Sequence, residues 1–153
     1  MFTGTFLRGK FIMTVADVKI LELPKIIDPR GNLSFVEEAS HIPFVIKRSY
    51  WIYDVPGGEI RGGHAFKKNV EIIVALSGSF DVVLNDATDE RVFSLNRSYY
   101  GLYVPNLLWR KIENFSTNSL ALVLSSITYQ PEDYIRDFQF FSNFKSKSLS
   151  DRF

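Results

Sequence analysis

From Val18 to Asp137 the chain repeats one pattern: short runs rich in β-branched and aromatic residues, broken every roughly 8–12 residues by Gly, Pro, Asn or Asp. That rhythm belongs to an all-β sandwich or barrel. It predicts strands at Val18–Leu23, Asn32–Glu37, Arg48–Tyr53, Arg61–Lys67, Glu71–Ser77, Ser79–Asn85, Glu90–Leu95, Tyr99–Val104, Leu108–Asn114 and Leu120–Ser126. So many short strands leave fewer exposed edges as two packed sheets or a closed barrel than as one open sheet. Helix-like spacing occurs only where Tyr134, Ile135, Phe138 and Phe141 fall within Pro131–Ser142.

At 153 residues, with hydrophobic residues at 46 % and aromatics at 15 %, the chain suits one domain with a real core and excludes a mainly disordered protein. The expected organisation is a flexible extension over residues 1–13, a single domain over 14–145 and a frayed tail over 146–153. Eighteen Lys plus Arg against seventeen Asp plus Glu give a net charge of +1, without the field of a nucleic-acid-wrapping protein. The absence of cysteine removes disulfides, thiolate metal sites and a cysteine nucleophile. Imidazole chemistry rests on His41 and His64 alone, and His41, beside Ile42-Pro43, reads as an ordinary loop residue. No apolar run approaches the roughly 18 residues of a membrane span, and Arg8 and Lys10 interrupt any signal-like segment, so a cytoplasmic protein is expected.

The segment from Gly58 through His64, Phe66 and Glu71 to Gly78 keeps the spacing G-x5-H-x-H-x3,4-E-x6-G. It resembles the first signature of the cupin barrels. Gly101, Pro105, Arg110 and Asn114 echo the second signature, with the glycine two residues too close to Pro105. The positions that hold a metal in a typical cupin are here His64, Phe66, Glu71 and Arg110. A phenyl ring has no lone pair to donate and a guanidinium stays cationic, so two ligands survive where three or four are needed, and the site reads as metal-free. Cations beside His64, at Arg61 and Lys67, favour a neutral imidazole, the form a general base requires.

A narrower resemblance rests on Ile46-Lys47-Arg48-Ser49-Tyr50-Trp51-Ile52-Tyr53, Arg61-Gly62-Gly63-His64-Ala65, Gly101-Leu102-Tyr103-Val104-Pro105 with Trp109, and Asp133-Tyr134-Ile135-Arg136-Asp137. Together these are similar to the cupin-type sugar 3,4-ketoisomerases, which act on TDP-4-keto-6-deoxy-D-glucose. The resemblance implies a cupin jelly roll, or antiparallel β-sandwich, with a short C-terminal helix. It also implies a homodimer and a metal-independent isomerase that makes a TDP-3-keto-6-deoxy hexose on the way to a 3-amino-3,6-dideoxy sugar of bacterial surface glycans. Moving a proton between C-3 and C-4 needs a positioned base and a group that steadies the enediolate, and neither task demands a metal or other cofactor.

Residue by residue, the resemblance makes His64 the base and Tyr50 a proton donor or oxygen-polarising group. Arg48, Arg61 and Lys67 fall on basic positions suited to the nucleotide diphosphate. Tyr103 and Trp109 are candidates to line the nucleotide or sugar pocket or, equally, to sit in the core. Glu71 is expected to bond His64 or a sugar hydroxyl, or else to pair with Lys67 or Lys68. Asp28-Pro29-Arg30-Gly31 reads as a turn from which Arg30 can reach substrate. Arg110 stands where the family shows His or Arg. The family's R-G-x-H-A-H motif ends in a second histidine, and this chain has Phe66 there.

Of Glu37-Glu38, adjacent on a strand, at most one faces the interior. No P-loop, G-x-G-x-x-G or G-x-S-x-G occurs, so a nucleotide would be held by side chains. Two other readings stay open: a non-catalytic sugar-nucleotide binding cupin, in which Phe66 marks lost chemistry, and a sugar-nucleotide 3,5-epimerase.

Overall fold

The computed structural model describes residues 12–150; residues 1–11 of the extension expected over 1–13, and the final residues 151–153, lie outside the described residues. All ten predicted strands form. They are β1 (Lys19–Glu22), β3 (Leu33–Ser34), β4 (Arg48–Ile52), β5 (Arg61–Phe66), β6 (Glu71–Ser77), β7 (Phe80–Asn85), β8 (Glu90–Leu95), β9 (Tyr100–Val104), β10 (Trp109–Glu113) and β11 (Leu120–Ser125). Two further strands, β2 (Lys25–Ile26) and β12 (Tyr134–Ile135), were not expected; each has only two residues, too short for an alternating pattern to register.

The strands make two five-stranded sheets, ordered β1-β9-β6-β11-β4 and β12-β5-β10-β7-β8, plus the β2-β3 pair. All pairings between these strands are antiparallel. The all-β sandwich expectation therefore holds. The helix α1 runs from Phe138 to Ser150, later and longer than Pro131–Ser142. Pro131–Asp133 closes a single 3-10 turn instead, and Tyr134–Ile135 is drawn into β12 because its backbone pairs with Phe66 and Ala65 at the edge of β5. Ser146–Ser150, expected in a frayed tail, belongs to the helix.

Alternation along the strands sorts side chains into an inner and an outer set. Ile73 and Ala75 of β6, Leu102 and Val104 of β9, Ala121 and Val123 of β11, Val82 and Leu84 of β7 and Ile112 of β10 fill the space between the sheets. The opposite face of the first sheet carries Ile72, Val74, Tyr103 and Leu124, covered by Leu23 and Ile42. Each such aliphatic side chain, fully withdrawn from water, contributes about 1.5–3 kcal/mol. A third cluster joins Ala65, Ile135 and Phe141, with Trp109 packed against it, and docks α1 on the second sheet.

Candidate active site

At one end of the sandwich the inward-facing positions stop being aliphatic. Two residues before Ile73 stands Glu71, two after Val123 stands Ser125, and two before Ile112 stands Arg110. Two before Ile52 on β4 stands Tyr50, and His64 shares β5 with Phe66. Strand pairing brings these together: Arg110 lies opposite His64, Ser125 opposite both Glu71 and Arg48, and Val123 opposite Tyr50. Beside them opens a cavity of about 830 Å³, walled by Arg48, Tyr50, Arg61, His64 and Arg110 together with Tyr134.

The polar groups form a closed network. The Arg110 Nη2 donates to the Tyr50 hydroxyl at 3.0 Å and lies 3.2 Å from His64 Nε2. Arginine has no acceptor, so Nε2 carries the imidazole lone pair and Nδ1 the proton. Arg110 Nη2 also stands 3.2 Å from Glu71 Oε2, an ion pair whose members are 2 % and 1 % exposed. Tyr50 donates its hydroxyl proton to Glu71 Oε1 at 2.7 Å, and that oxygen also accepts from Asn69 Nδ2 and Ser125 Oγ at 3.3 Å. Removing one partner of a buried ion pair of this kind costs about 3–5 kcal/mol, because the other charge is left uncompensated.

This packing sets the titration of the site. Burial, helped by the positive charges of Arg110, Arg136 and Arg48, pulls His64 down from 6.5 to about 3, so the imidazole is neutral near pH 7. Burial also lifts the Tyr50 hydroxyl well above the usual phenol range; Glu71 reinforces that shift and Arg110 opposes it. Arg110 itself is pushed down by burial, but the attraction of Glu71 and of Tyr50 outweighs this and leaves its pKa raised. Around His64 the walls are aromatic: Phe66 meets its ring edge-on at 4.8 Å between centroids, and Tyr134 lies at 5.0 Å.

The old metal positions do not suit a metal. Phe66 offers no donor atom, and the Arg110 guanidinium sits within 3.2 Å of both His64 Nε2 and Glu71 Oε2, placing a fixed positive charge between the two remaining donors.

Of the ten residues singled out in the sequence, His64, Tyr50, Arg48, Arg61 and Arg110 line the cavity, and Glu71 lies directly behind Tyr50. Neither expected pairing of Glu71, with His64 or with a neighbouring lysine, forms; its partners are Tyr50, Arg110, Asn69 and Ser125. Tyr103, Trp109, Lys67 and Arg30 are not in the lining. Tyr103 sits one residue out of phase with Leu102 and Val104, and so joins the outer cluster with Leu23 and Ile42. Trp109, out of phase with Arg110, packs on Phe138 and Phe141 of the helix. Lys67 follows the end of β5 and donates to the Glu132 carbonyl at 2.7 Å. Arg30 clasps Asp28 within its turn at 2.8 Å, with its side chain 90 % exposed.

Tyr129 and Tyr134 in the wall, and Asn69 and Ser125 behind it, were given no role by the sequence. Tyr134 stands in the Asp133–Asp137 string that carries the resemblance, and Ser125 shares strand parity with Val123; nothing signalled Tyr129 or Asn69. Arg48 lies 5.2 Å from the Tyr50 ring centroid and 5.6 Å from that of Tyr129, and its Nε has no hydrogen-bond partner.

A model of the family FdtA, described as WxcM-like, C-terminal, matches residues 16–146. The chain is 40 % identical over 129 residues to the TDP-4-oxo-6-deoxy-alpha-D-glucose-3,4-oxoisomerase of Aneurinibacillus thermoaerophilus, covering 84 % of this chain and 93 % of that one. The crystal structure of a 3,4-ketoisomerase from Helicobacter canadensis superposes with a TM-score of 0.83 at 38 % identity, over 85 % of this chain and 98 % of that one. The sugar 3,4-ketoisomerase QdtA from Thermoanaerobacterium thermosaccharolyticum, solved in complex with TDP, gives 0.85 at 34 % identity, over 87 % and 97 %.

Proposed function

The chain belongs to the FdtA, WxcM-like family, and from that premise we propose that it is a sugar 3,4-ketoisomerase converting TDP-4-keto-6-deoxy-D-glucose to a TDP-3-keto-6-deoxy hexose in the cytoplasm. The product is the ketone an aminotransferase needs to place an amine at C-3. The observation that carries the reading is the convergence of a neutral imidazole, a tyrosine hydroxyl and an arginine on one cavity whose wall also holds Arg48 and Arg61.

In this reading the substrate's C-4 oxygen replaces His64 Nε2 as an acceptor for Arg110 Nη2, and the lone pair so freed takes the proton from C-3. The C–H electrons become the C-3/C-4 double bond and the carbonyl pair moves onto the C-4 oxygen, where Arg110 offsets the developing charge. Return of the proton to C-4 completes the carbon side of the exchange. No metal takes part. Arg48, whose Nε is unpaired, and Arg61 hold the diphosphate, where guanidinium forks match phosphate oxygens. The face of Tyr129, in the same wall, accepts the base.

The reading includes a homodimer. The outer face of the first sheet exposes Trp51, Tyr53 and Leu76 beside Leu120 and Leu122, around an almost wholly apolar depression. A second copy seated there would take this surface out of water.

The deciding experiment is NMR of the purified protein with TDP-4-keto-6-deoxy-D-glucose in D2O, with chelator present. Loss of the C-3 proton signal together with a 3-keto product is expected. Tight TDP binding with neither exchange nor product would replace this reading with that of a binding cupin.

A further inference from the structure

Ketoisomerisation moves two protons, one from C-3 to C-4 and one from the oxygen on C-3 to the oxygen on C-4. His64 serves the carbons. Two residues along β5, where the family's motif has a second imidazole, Phe66 presents a ring with no proton to give or take, packed against His64 and Tyr134. Beside His64 the groups able to move a proton are the Tyr134 hydroxyl in the cavity wall and the chain Arg110–Tyr50–Glu71, and only that chain leads to a buried carboxylate.

The direction of the hydrogen bonds in that chain is fixed. Arg110 can only donate, so the Tyr50 oxygen accepts from it at 3.0 Å, and the single Tyr50 proton points inward to Glu71 Oε1 at 2.7 Å. Tyr50 lines the cavity and has a second lone pair, so what it offers the sugar is an acceptor. Behind it stands a carboxylate that touches no solvent and is held by Asn69, Ser125 and Arg110.

We propose that Tyr50 and Glu71 form the oxygen-to-oxygen proton relay of this enzyme, with Glu71 acting through Tyr50 as the place where the proton waits. The proposal rests on the ketoisomerase reading above. As His64 returns its proton to C-4, the C-3 hydroxyl becomes the new ketone by giving its proton to Tyr50 Oη. The old Tyr50 O–H bond breaks as Glu71 Oε1 takes that proton. The C-4 oxygen is left as an alkoxide beside Arg110, and the proton then returns from Glu71 through Tyr50 to that oxygen. No electrons leave the sugar, and tyrosine, carboxylate and imidazole all end as they began. A hydroxyl that resists ionisation, as Tyr50 does, suits such a pass-through, since it never stands as the bare phenolate.

The test separates the two protons. Deuterium entering substrate at C-3 needs only His64, whereas 3-keto product needs the relay as well. In Glu71→Gln, whose amide oxygen still accepts from Tyr50 but takes up no proton, product formation is expected to fall about 100-fold or more. C-3 exchange, KM and TDP affinity stay near wild type. Tyr50→Phe should show the same split, and the double variant should be no slower than either single one, as for residues acting as a unit.

Product formation by Glu71→Gln within about threefold of wild type overturns the relay, as do single-variant losses that multiply. Loss of exchange and product together, with TDP still bound, also overturns it, since Glu71 would then only shape His64 and Arg110. If Glu71→Gln does not fold, the solvent isotope dependence of wild-type turnover in H2O–D2O mixtures decides: curvature from two protons in flight is expected, and a straight line overturns the proposal. A wild-type protein that neither exchanges nor isomerises refutes the ketoisomerase reading itself, whereas normal wild-type turnover with an unimpaired Glu71→Gln refutes the relay alone.

Discussion

At pH 7 the imidazole of His64 is neutral because it is buried and surrounded by Arg110, Arg136 and Arg48. A base is lost when it protonates as pH falls through its pKa. For a pKa near 3, the acid limb of kcat/KM attributable to His64 lies below the range where histidines normally titrate, and the pH–rate profile should show no step near 6.5. Arg110→Met removes one of the cations, so NMR titration should find the His64 pKa moved up, and chemical denaturation should find a loss of about 3–5 kcal/mol as Glu71 is left unpaired. His64→Asn should cost about 100- to 10,000-fold in turnover while TDP affinity holds, as measured by calorimetry. His64 was legible because it is one of only two histidines and keeps a motif's spacing. Its tautomer was not, since that depends on an arginine 46 positions away.

On the scale of elements, the meeting of β5 and β10 aims the site. The register shifts between Arg110 and Lys111, and Gly62 faces that irregularity with φ +92°. A Cβ on Gly62 would stand 2.8 Å from the Arg110 carbonyl oxygen. Gly62→Ala should therefore lower stability by about 1–3 kcal/mol in thermal melts and lower kcat more than a remote substitution of equal cost, because β10 must shift Arg110 relative to His64. The helix is fastened differently. Lys145 is buried, and its ammonium donates to the Leu107 carbonyl at 2.8 Å. Burial, opposed by Asp86 and Asp17, brings its pKa from 10.5 to about 8. The unfolded chain holds that proton more tightly, so this residue's contribution to stability should rise between pH 8 and 10.5 and be lost as pH falls through 8. Lys145→Met should flatten that slope in denaturation curves taken across the range. The long strands were readable because period-2 alternation is a local property, whereas α1 was placed too early because Tyr134 and Ile135, spaced as a helix, gain more by pairing with Phe66 and Ala65.

For the whole molecule, the apolar outer face of the first sheet is the feature that a single copy leaves exposed. Leu76, 44 % exposed and outside the cavity, is the residue to alter there. The wild-type protein should sediment as a dimer and Leu76→Arg as a monomer, since the dimer would have to bury an unpaired guanidinium; a monomeric wild type would remove the homodimer from the reading. What the chain determined by itself was the place of ten of the strands, their all-β sandwich-or-barrel class and the residue types at the site, because turn residues and alternation act over a few neighbours. Only the tertiary structure decided which face of each strand looks inward and which distant residues meet. Parity groups Tyr103 apart from Leu102, and Trp109 apart from Arg110, without saying which set is the inner one. The bonds from Tyr50 to Glu71, from Arg110 to Tyr50 and from Arg110 to His64 join residues 21, 60 and 46 positions apart, and they exist only because sheet pairing lays β4, β6, β5 and β10 around one polar end of the core.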